Sequence, residues 1–196
     1  AERLAEPGVP RLLVMHGLPG SGKTRVSQQL LERAGAVRLR SDVERKRAAG
    51  LAALADSKAV SDLYGAADTE ATYARLAALA RGALEAGYPT IVDAAFLRRE
   101  QRDRMRALAA RMQVPFAILD CQAPIAVLRE RVRERRAARA DASEADEAVL
   151  DTLAAVEEPL GDDERAWTLE VRTDEPLAVA SLLGCWQVAA VPPRVS

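Results

Sequence analysis

The sequence predicts an α/β fold, a parallel sheet with crossover helices, and three observations carry that expectation. Apolar runs are short and alternate with stretches of helical periodicity. A glycine-rich segment, "GLPGSGKTR" (Gly17 to Arg25), stands directly behind the aliphatic run Leu12-Leu13-Val14-Met15. With 49% hydrophobic residues in 196, the chain buries a substantial core, and no linker divides it. Residues 1–196 are therefore read as one domain.

The elements follow in order. Leu12 to Met15 is a buried strand entering the glycine loop, and Val26, Leu30 and Leu31 give the apolar stripe of a helix from Thr24 to Arg33. Gly35 ends that helix, and "AVRLR" (Ala36 to Arg40) alternates as a second strand that stops at Ser41-Asp42. Residues 43–87 are helical and alanine-rich, interrupted around Asp62 to Glu70. "PTIVD" (Pro89 to Asp93) is a third strand, and Arg98 to Met112 a helix with a very basic outer face. "PFAILDC" (Pro115 to Cys121) is a fourth strand, after which Pro124 opens a helix carrying "VLRERVRERRAAR". Ser143 caps a helix over Glu144 to Glu157. Trp167 to Arg172 is a fifth strand and Pro176 to Leu183 a last short helix.

Composition excludes several functions. A net charge of −1 gives no global field for nucleic acid or membrane, and 4% aromatic residues are too few for single-strand stacking platforms. Cys121 and Cys185 form neither a disulfide framework nor a metal-type pair. The single histidine, His16, rules out a His cluster or a Ser-His-Asp triad and is assigned to packing at the end of the first strand. No run approaches membrane-spanning length and the N-terminus lacks an apolar leader, so a soluble, cytoplasmic protein is expected. Chemistry must rest on Lys, Arg, Asp and backbone amides.

Gly17 to Thr24 matches the full G-x-x-x-x-G-K-[ST] pattern, placed after a strand and opening a helix. In that setting Gly17, Gly20, Ser21 and Gly22 turn backbone N–H groups toward nucleotide phosphates beside the positive end of the helix dipole. Lys23 adds a point charge, and the Thr24 hydroxyl ligates Mg²⁺. Asp42, behind the second strand, is the leading general base for a hydroxyl acceptor, though Ser41-Asp42 also reads as a helix cap. Asp93 has two readings, a Walker-B-like carboxylate that supports Mg²⁺ through water or an arginine-paired residue that shapes the site.

Arg129, Arg131, Arg133, Arg135 and Arg136 crowd the most charged helix, with Glu130 and Glu134 between them. Arg131 and Arg135 are four apart and share a face, as a closing lid (about residues 129–143) requires. Arg38, Arg40, Arg45, Lys46 and Arg47 surround Asp42 and point to an anionic acceptor, or to a surface patch offset by Asp42 and Glu44.

The cradle, "SDVERK", "TIVDA" and the lid arginines resemble one group of P-loop kinases. The group includes polynucleotide 5′-kinases, gluconate kinases, chloramphenicol phosphotransferases and zeta toxins. The likeness is greatest to bacterial ATP-binding kinase-like domains often attached to aminoglycoside-phosphotransferase-like domains, and it covers about Arg11 to Glu158. It implies a P-loop NTPase fold with sheet order 2-3-1-4-5 and a helical lid. It also implies Asp42 as general base, Arg45 holding an acceptor phosphate, and Asp93 buttressing the acceptor site; Arg40, from the basic cluster around Asp42, is a further acceptor-binding candidate. Arg131 would pack on adenine, Arg135 would reach the phosphates, and residues 43–87 would build the acceptor pocket. Two positions depart from the pattern. Thr24-Arg25 replaces Ser-Thr, leaving Arg25 only its backbone N–H for the α-phosphate, and Asp93-Ala94-Ala95-Phe96 lacks a polar acceptor contact. The expected activity is transfer of the ATP γ-phosphate, with Mg²⁺, to a hydroxyl of a metabolite or nucleic-acid 5′ end. The alternative is a nucleotide-binding regulatory module without an acceptor.

Overall fold

Leu12–His16 (β1), with all five side chains buried, is the central strand of a five-stranded sheet. It pairs in parallel with Thr90–Asp93 (β3) on one side and Phe116–Gln122 (β4) on the other. Val37–Arg40 (β2) pairs with β3, and Thr168–Arg172 (β5) with β4, so the order is β2-β3-β1-β4-β5, all parallel. The computed structural model describes residues 9–51, 66–138 and 146–193, apart from the side chains of residues 66, 67, 136 and 138.

Period-two alternation divides β1 between two cores. Leu12 and Val14 join Val92, Phe116 and Ile118 under Ala66–Glu85 (α3) and Arg99–Met112 (α4). Leu13 and Met15 join Ile91, Ala117 and Leu119 under Lys23–Ala34 (α1) and Val179–Gln187 (α8). Both faces are covered, which is why the inner strands read as unbroken apolar runs. The remaining helices are Ser41–Ala48 (α2), Ile125–Ala138 (α5), Glu147–Ala155 (α6) and Asp162–Arg165 (α7).

Several boundaries differ from the sequence reading. The helix after β2 starts at Ser41, with Arg40 as N-cap and no side-chain capping bond, so Asp42 lies inside the first turn instead of capping it. Asp146 caps α6 by accepting from Val149 N at 3.1 Å, whereas Ser143 lies outside the described residues. The last helix runs over Val179–Gln187, later than expected, and buries Trp186. α7 was not foreseen, because four residues carry no periodicity.

The basic helix α4 also differs. Arg102 is only 1% exposed and faces inward. Its Nε and Nη2 donate to Glu164 of α7 at 2.6 and 2.9 Å, and Nη1 donates to the carbonyls of Phe96 and Glu158 at 3.0 and 3.2 Å. One guanidinium thereby fixes the chain leaving β3, the segment after α6, and α7. Charge pairing, not solvation, explains an arginine at that position.

Candidate active site

Every sequence-predicted site element reaches the carboxyl edge of the sheet, where ligands gather in open α/β folds. The glycine loop leaves β1 there, Asp42 follows β2, Asp93 ends β3 and the lid helix α5 follows β4; Thr173, which the sequence did not single out, follows β5. The loop backbone is packed so closely that side chains are barred. Gly17 and Gly20 have φ of 130° and 82°, and a Cβ would stand 2.6 Å from Cys121 O or 2.5 Å from Leu128 O.

Lys23 Nζ donates back to the loop carbonyls of Gly17 and Leu18 at 2.6 and 2.8 Å, and to Ser21 Oγ at 3.3 Å. Burial lowers its pKa; Asp93, Cys121 and Glu157 oppose that shift, and Arg135 adds to it. Asp93, 5% exposed, accepts from Ser27 Oγ at 3.0 Å. Burial raises its pKa against the pull of Lys23, Ser27 and Arg40, with Asp42 reinforcing the rise. For both groups, loss of water outweighs their mutual attraction.

A cleft of about 650 Å³ joins these parts. Its walls include Gly20, Gly22, Lys23, Thr24, Arg25, Asp42, Arg45, Asp93, Arg131 and Arg135, so the structure brings together most of the predicted site. Gly17 and Ser21 lie behind the loop surface. The side chain of Arg136 is outside the description.

The charge cluster around Asp42 is largely committed elsewhere. Arg38 donates to Thr24 O and Ser27 Oγ, both at 3.2 Å, bracing the start of α1. Arg40 grips Asp42 with Nε–Oδ1 of 3.2 Å and Nη2–Oδ2 of 2.6 Å, and Arg47 pairs with Glu44. Arg45 alone of the five lines the cleft. The spacing rule that places Arg38 and Arg40 on one side could not show that α1 and Asp42 occupy them.

The lid helix divides its arginines by face. Arg129 and Arg133 pair with Asp151 and Glu147 of α6 at 3.0 and 3.1 Å. Arg131 and Arg135 face the cleft. Arg131 Nη1 donates to Gly20 O at 3.2 Å and Thr173 Oγ1 at 3.0 Å, while Nη2 donates to Thr173 O at 2.8 Å.

Sequence reasoning missed two groups beside the loop. His16 does more than pack: its Nδ1 lies 2.7 Å from Asp120 Oδ1, and its Nε2 is 3.9 Å from Glu157 Oε1. Burial would raise the pKa of Asp120, but hydrogen bonds from His16 and from Gln122 at 2.7 Å bring it below the ordinary value. A carboxylate within a buried strand was the available signal, and the sheet register that sets it beside the lone histidine is visible only in the structure. Thr173 carried none.

The donor set fits a nucleotide polyphosphate and Mg²⁺. Lys23 and the N–H groups at the start of α1 are anion donors, and Thr24 and Asp93 supply hard oxygens. Among the described residues no group of three or more His, Cys, Asp or Glu could hold a metal ion.

Residues 12–160, well over half of the chain, match the model of the AAA domain family AAA_33. The chain belongs to that family. A curated relative of this AAA domain, the uncharacterized protein Rv2004c of Mycobacterium tuberculosis, is 28% identical over 135 residues, 68% of this chain and 27% of the relative. The chain spans about a quarter of the length of the curated relatives it matches. Among solved structures, Chaetomium thermophilum Kti12 in complex with ADP-AlF3 aligns with a TM-score of 0.69 at 21% identity, over 91% of this chain and 99% of that one. A gluconokinase from Sinorhizobium meliloti 1021 aligns with a TM-score of 0.61 at 21% identity, over 91% and 90%. The AAA domain thus has the P-loop kinase fold, with the strand order expected of it. Among the described residues no helix is long and apolar enough to cross a membrane.

Proposed function

We propose that the chain is an ATP- and Mg²⁺-dependent kinase that transfers the γ-phosphate to a hydroxyl of an anionic acceptor, a small metabolite or a nucleic-acid 5′ end. The observation that carries this reading is the single cleft shared by Lys23, Thr24, Asp42, Arg45, Asp93 and two lid arginines. Phosphoryl transfer asks for positioning and charge stabilisation more than covalent chemistry, and this cleft offers both. ATP supplies the transferred group, and Mg²⁺, when bound, neutralises charge on its phosphates.

Within that scheme the amides of Gly20 to Thr24 and Lys23 hold the phosphates, with Arg25 contributing its N–H. Burial disfavours the charges of Lys23 and Asp93, so a polyphosphate against one and a divalent cation near the other each reverse a penalty. Thr24 is the metal ligand and Asp93 its support through water. Arg131 packs on the base, and Arg135 stabilises charge on the phosphoryl oxygens. Arg45 takes the anionic group of the acceptor, while Arg40 acts through Asp42.

Asp42 takes the hydroxyl proton. An ionised carboxylate offers about four acceptor sites. Among the described residues three are taken, Oδ1 by Arg40 Nε and by Val43 N at 2.8 Å, and Oδ2 by Arg40 Nη2. One site on Oδ2 remains for a substrate hydroxyl. The same bidentate grip favours a second reading, a nucleotide-binding module or weak ATPase in which Asp42 is a structural ion-pair partner. Asp42→Asn separates the two. The kinase reading expects loss of labelling of any acceptor by γ-labelled ATP while ATP affinity is kept. Equal slow hydrolysis by both proteins, with no acceptor labelled, supports the module.

A further inference from the structure

Five arginines lie in or just before the first two turns of α4, and four of them have carboxylate partners. Arg99 pairs with Asp163 at 2.6 Å, Arg102 with Glu164, Arg104 with Glu70 at 2.5 Å, and Arg106 with Asp103 at 2.8 Å. Arg98 has no side-chain ion pair or hydrogen bond among the described residues, and it is the one of the five that lines the cleft. Exposed arginines without partners are common on surfaces. This one differs because the backbone on either side is clamped.

The clamps are specific. Phe96 adopts a left-handed φ of 48°, a conformation costly for a bulky residue. It is held by Tyr73 Oη, which accepts from Phe96 N at 3.1 Å, and by an edge-on ring contact at 5.1 Å. Arg102 takes the Phe96 carbonyl. Leu97 O accepts from Glu158 N at 2.9 Å, and Arg99 N donates to Glu158 Oε2 at 2.6 Å. Arg98 therefore lines the cleft from a fixed backbone. Arg45 of α2 lines the same cleft, close enough to Tyr73 for its charge to act on that hydroxyl.

We propose that Arg98 is a specificity-determining residue that, in the cleft it shares with Arg45, binds a carboxylate or phosphate group on a small acceptor. Two guanidinium groups on different walls suit an anion with several acceptor oxygens. Of the carboxylates lining the cleft, Asp42 is engaged by Arg40, Glu70 and Glu100 by Arg104, and Asp93 by Ser27, and none of them pairs with Arg98. The cleft must also take the nucleotide, so the room beside Asp42 suits a metabolite better than a polymer. Sequence did not single out Arg98, because it stands among four other arginines.

The inference rests on the kinase reading, and its test has one arm independent of transfer. In the first arm, protein loaded with AMPPNP and Mg²⁺ is titrated calorimetrically with inorganic sulfate, beside Arg98→Gln. One saturable sulfate per chain, weakened about tenfold or more in the variant, is expected. No saturable sulfate in the parent, or equal affinity in both, overturns the proposal. Failure to load AMPPNP would count against the nucleotide reading itself. In the second arm, labelling from γ-labelled ATP is compared for D-gluconate against D-glucose, glycerol 3-phosphate against glycerol, and a 5′-hydroxyl oligonucleotide. Arg98→Gln is expected to raise KM about ten- to a hundredfold for the anionic member of a pair and to leave the neutral member unchanged. Equal losses on both members, or preference for the oligonucleotide unaffected by the variant, sink the assignment. If nothing is labelled while sulfate binding still depends on Arg98, the anion site stands and the transferase reading falls.

Discussion

The guanidinium of Arg131 donates to the carbonyl of Gly20 at 3.2 Å, across 111 residues of sequence. The same group holds Thr173 beyond β5, whose side chain lies within 3.1 Å of where a Cβ on Gly22 would stand. Lid helix, phosphate loop and sheet edge thus meet at one arginine, so movement of α5 is mechanically tied to the loop.

Arg131 and Arg135 share a face but are expected to fail differently. Arg131→Ala removes the tie to Gly20 and Thr173 and should weaken nucleotide binding about tenfold, with turnover at saturation less affected. Arg135→Ala should lower kcat more than affinity, because a contact to the transferring group strengthens in the transition state. Fluorescent-nucleotide titration with steady-state kinetics reads both. A pure affinity loss in Arg135→Ala would demote it to ground-state binding.

Lys23→Ala should weaken ATP·Mg²⁺ binding by about ten- to a hundredfold, the range for a lost charge-assisted hydrogen bond. The loop also loses the donor to Gly17 O, Leu18 O and Ser21 Oγ. Thermal unfolding of the variant, measured alongside, separates a collapsed loop from a lost phosphate contact. Unchanged affinity in a folded variant would remove the central claim about the cradle.

The fold was legible because its information is local. The aliphatic run before Gly17 and "TIVD" before Ala94 announce buried parallel strands, and the cradle pattern places its own strand and helix. What sequence could not show is which charge meets which. Arg38, Arg40, Arg45, Lys46 and Arg47 look alike in a string, yet Arg38 braces α1, Arg40 grips Asp42 and Arg45 alone reaches the cleft. His16 and Asp120 are 104 residues apart, and only strand register makes them neighbours. Arg98 and Arg102 differ by one helical turn, but one faces the cleft and the other is buried against Glu164. Helix boundaries failed where the deciding partner was distant, as with α8, whose extra turn buries Trp186 under the sheet.

Arg102 and Glu164 supply the stability counterpart of the site. Both side chains are almost wholly buried, at 1% and 2% exposure. Burial pushes the Glu164 pKa up, but hydrogen bonds from Arg102 and from Gly161 N outweigh it and hold the group below its ordinary value. A carboxylate lowered in the folded state contributes stability that is present above its unfolded pKa and lost as pH falls through the folded one. Glu164→Gln should therefore cost about 3–5 kcal/mol at pH 7, since it leaves a buried guanidinium without its counter-charge. The gap to the parent should narrow below about pH 4.5, where the parent begins to lose the same term. Replacing both partners, Arg102→Met with Glu164→Leu, should recover only part of the loss. Arg102 also satisfies the carbonyls of Phe96 and Glu158, and a hydrophobic pair leaves those acceptors without a donor. Urea unfolding at pH 7 and pH 4 measures all three proteins. A Glu164→Gln variant within about 1 kcal/mol of the parent at pH 7 would show that desolvation cancels the pair. In that case the clamp behind Phe96 and Arg98 would owe its rigidity to Tyr73 and the backbone bonds of Glu158 instead.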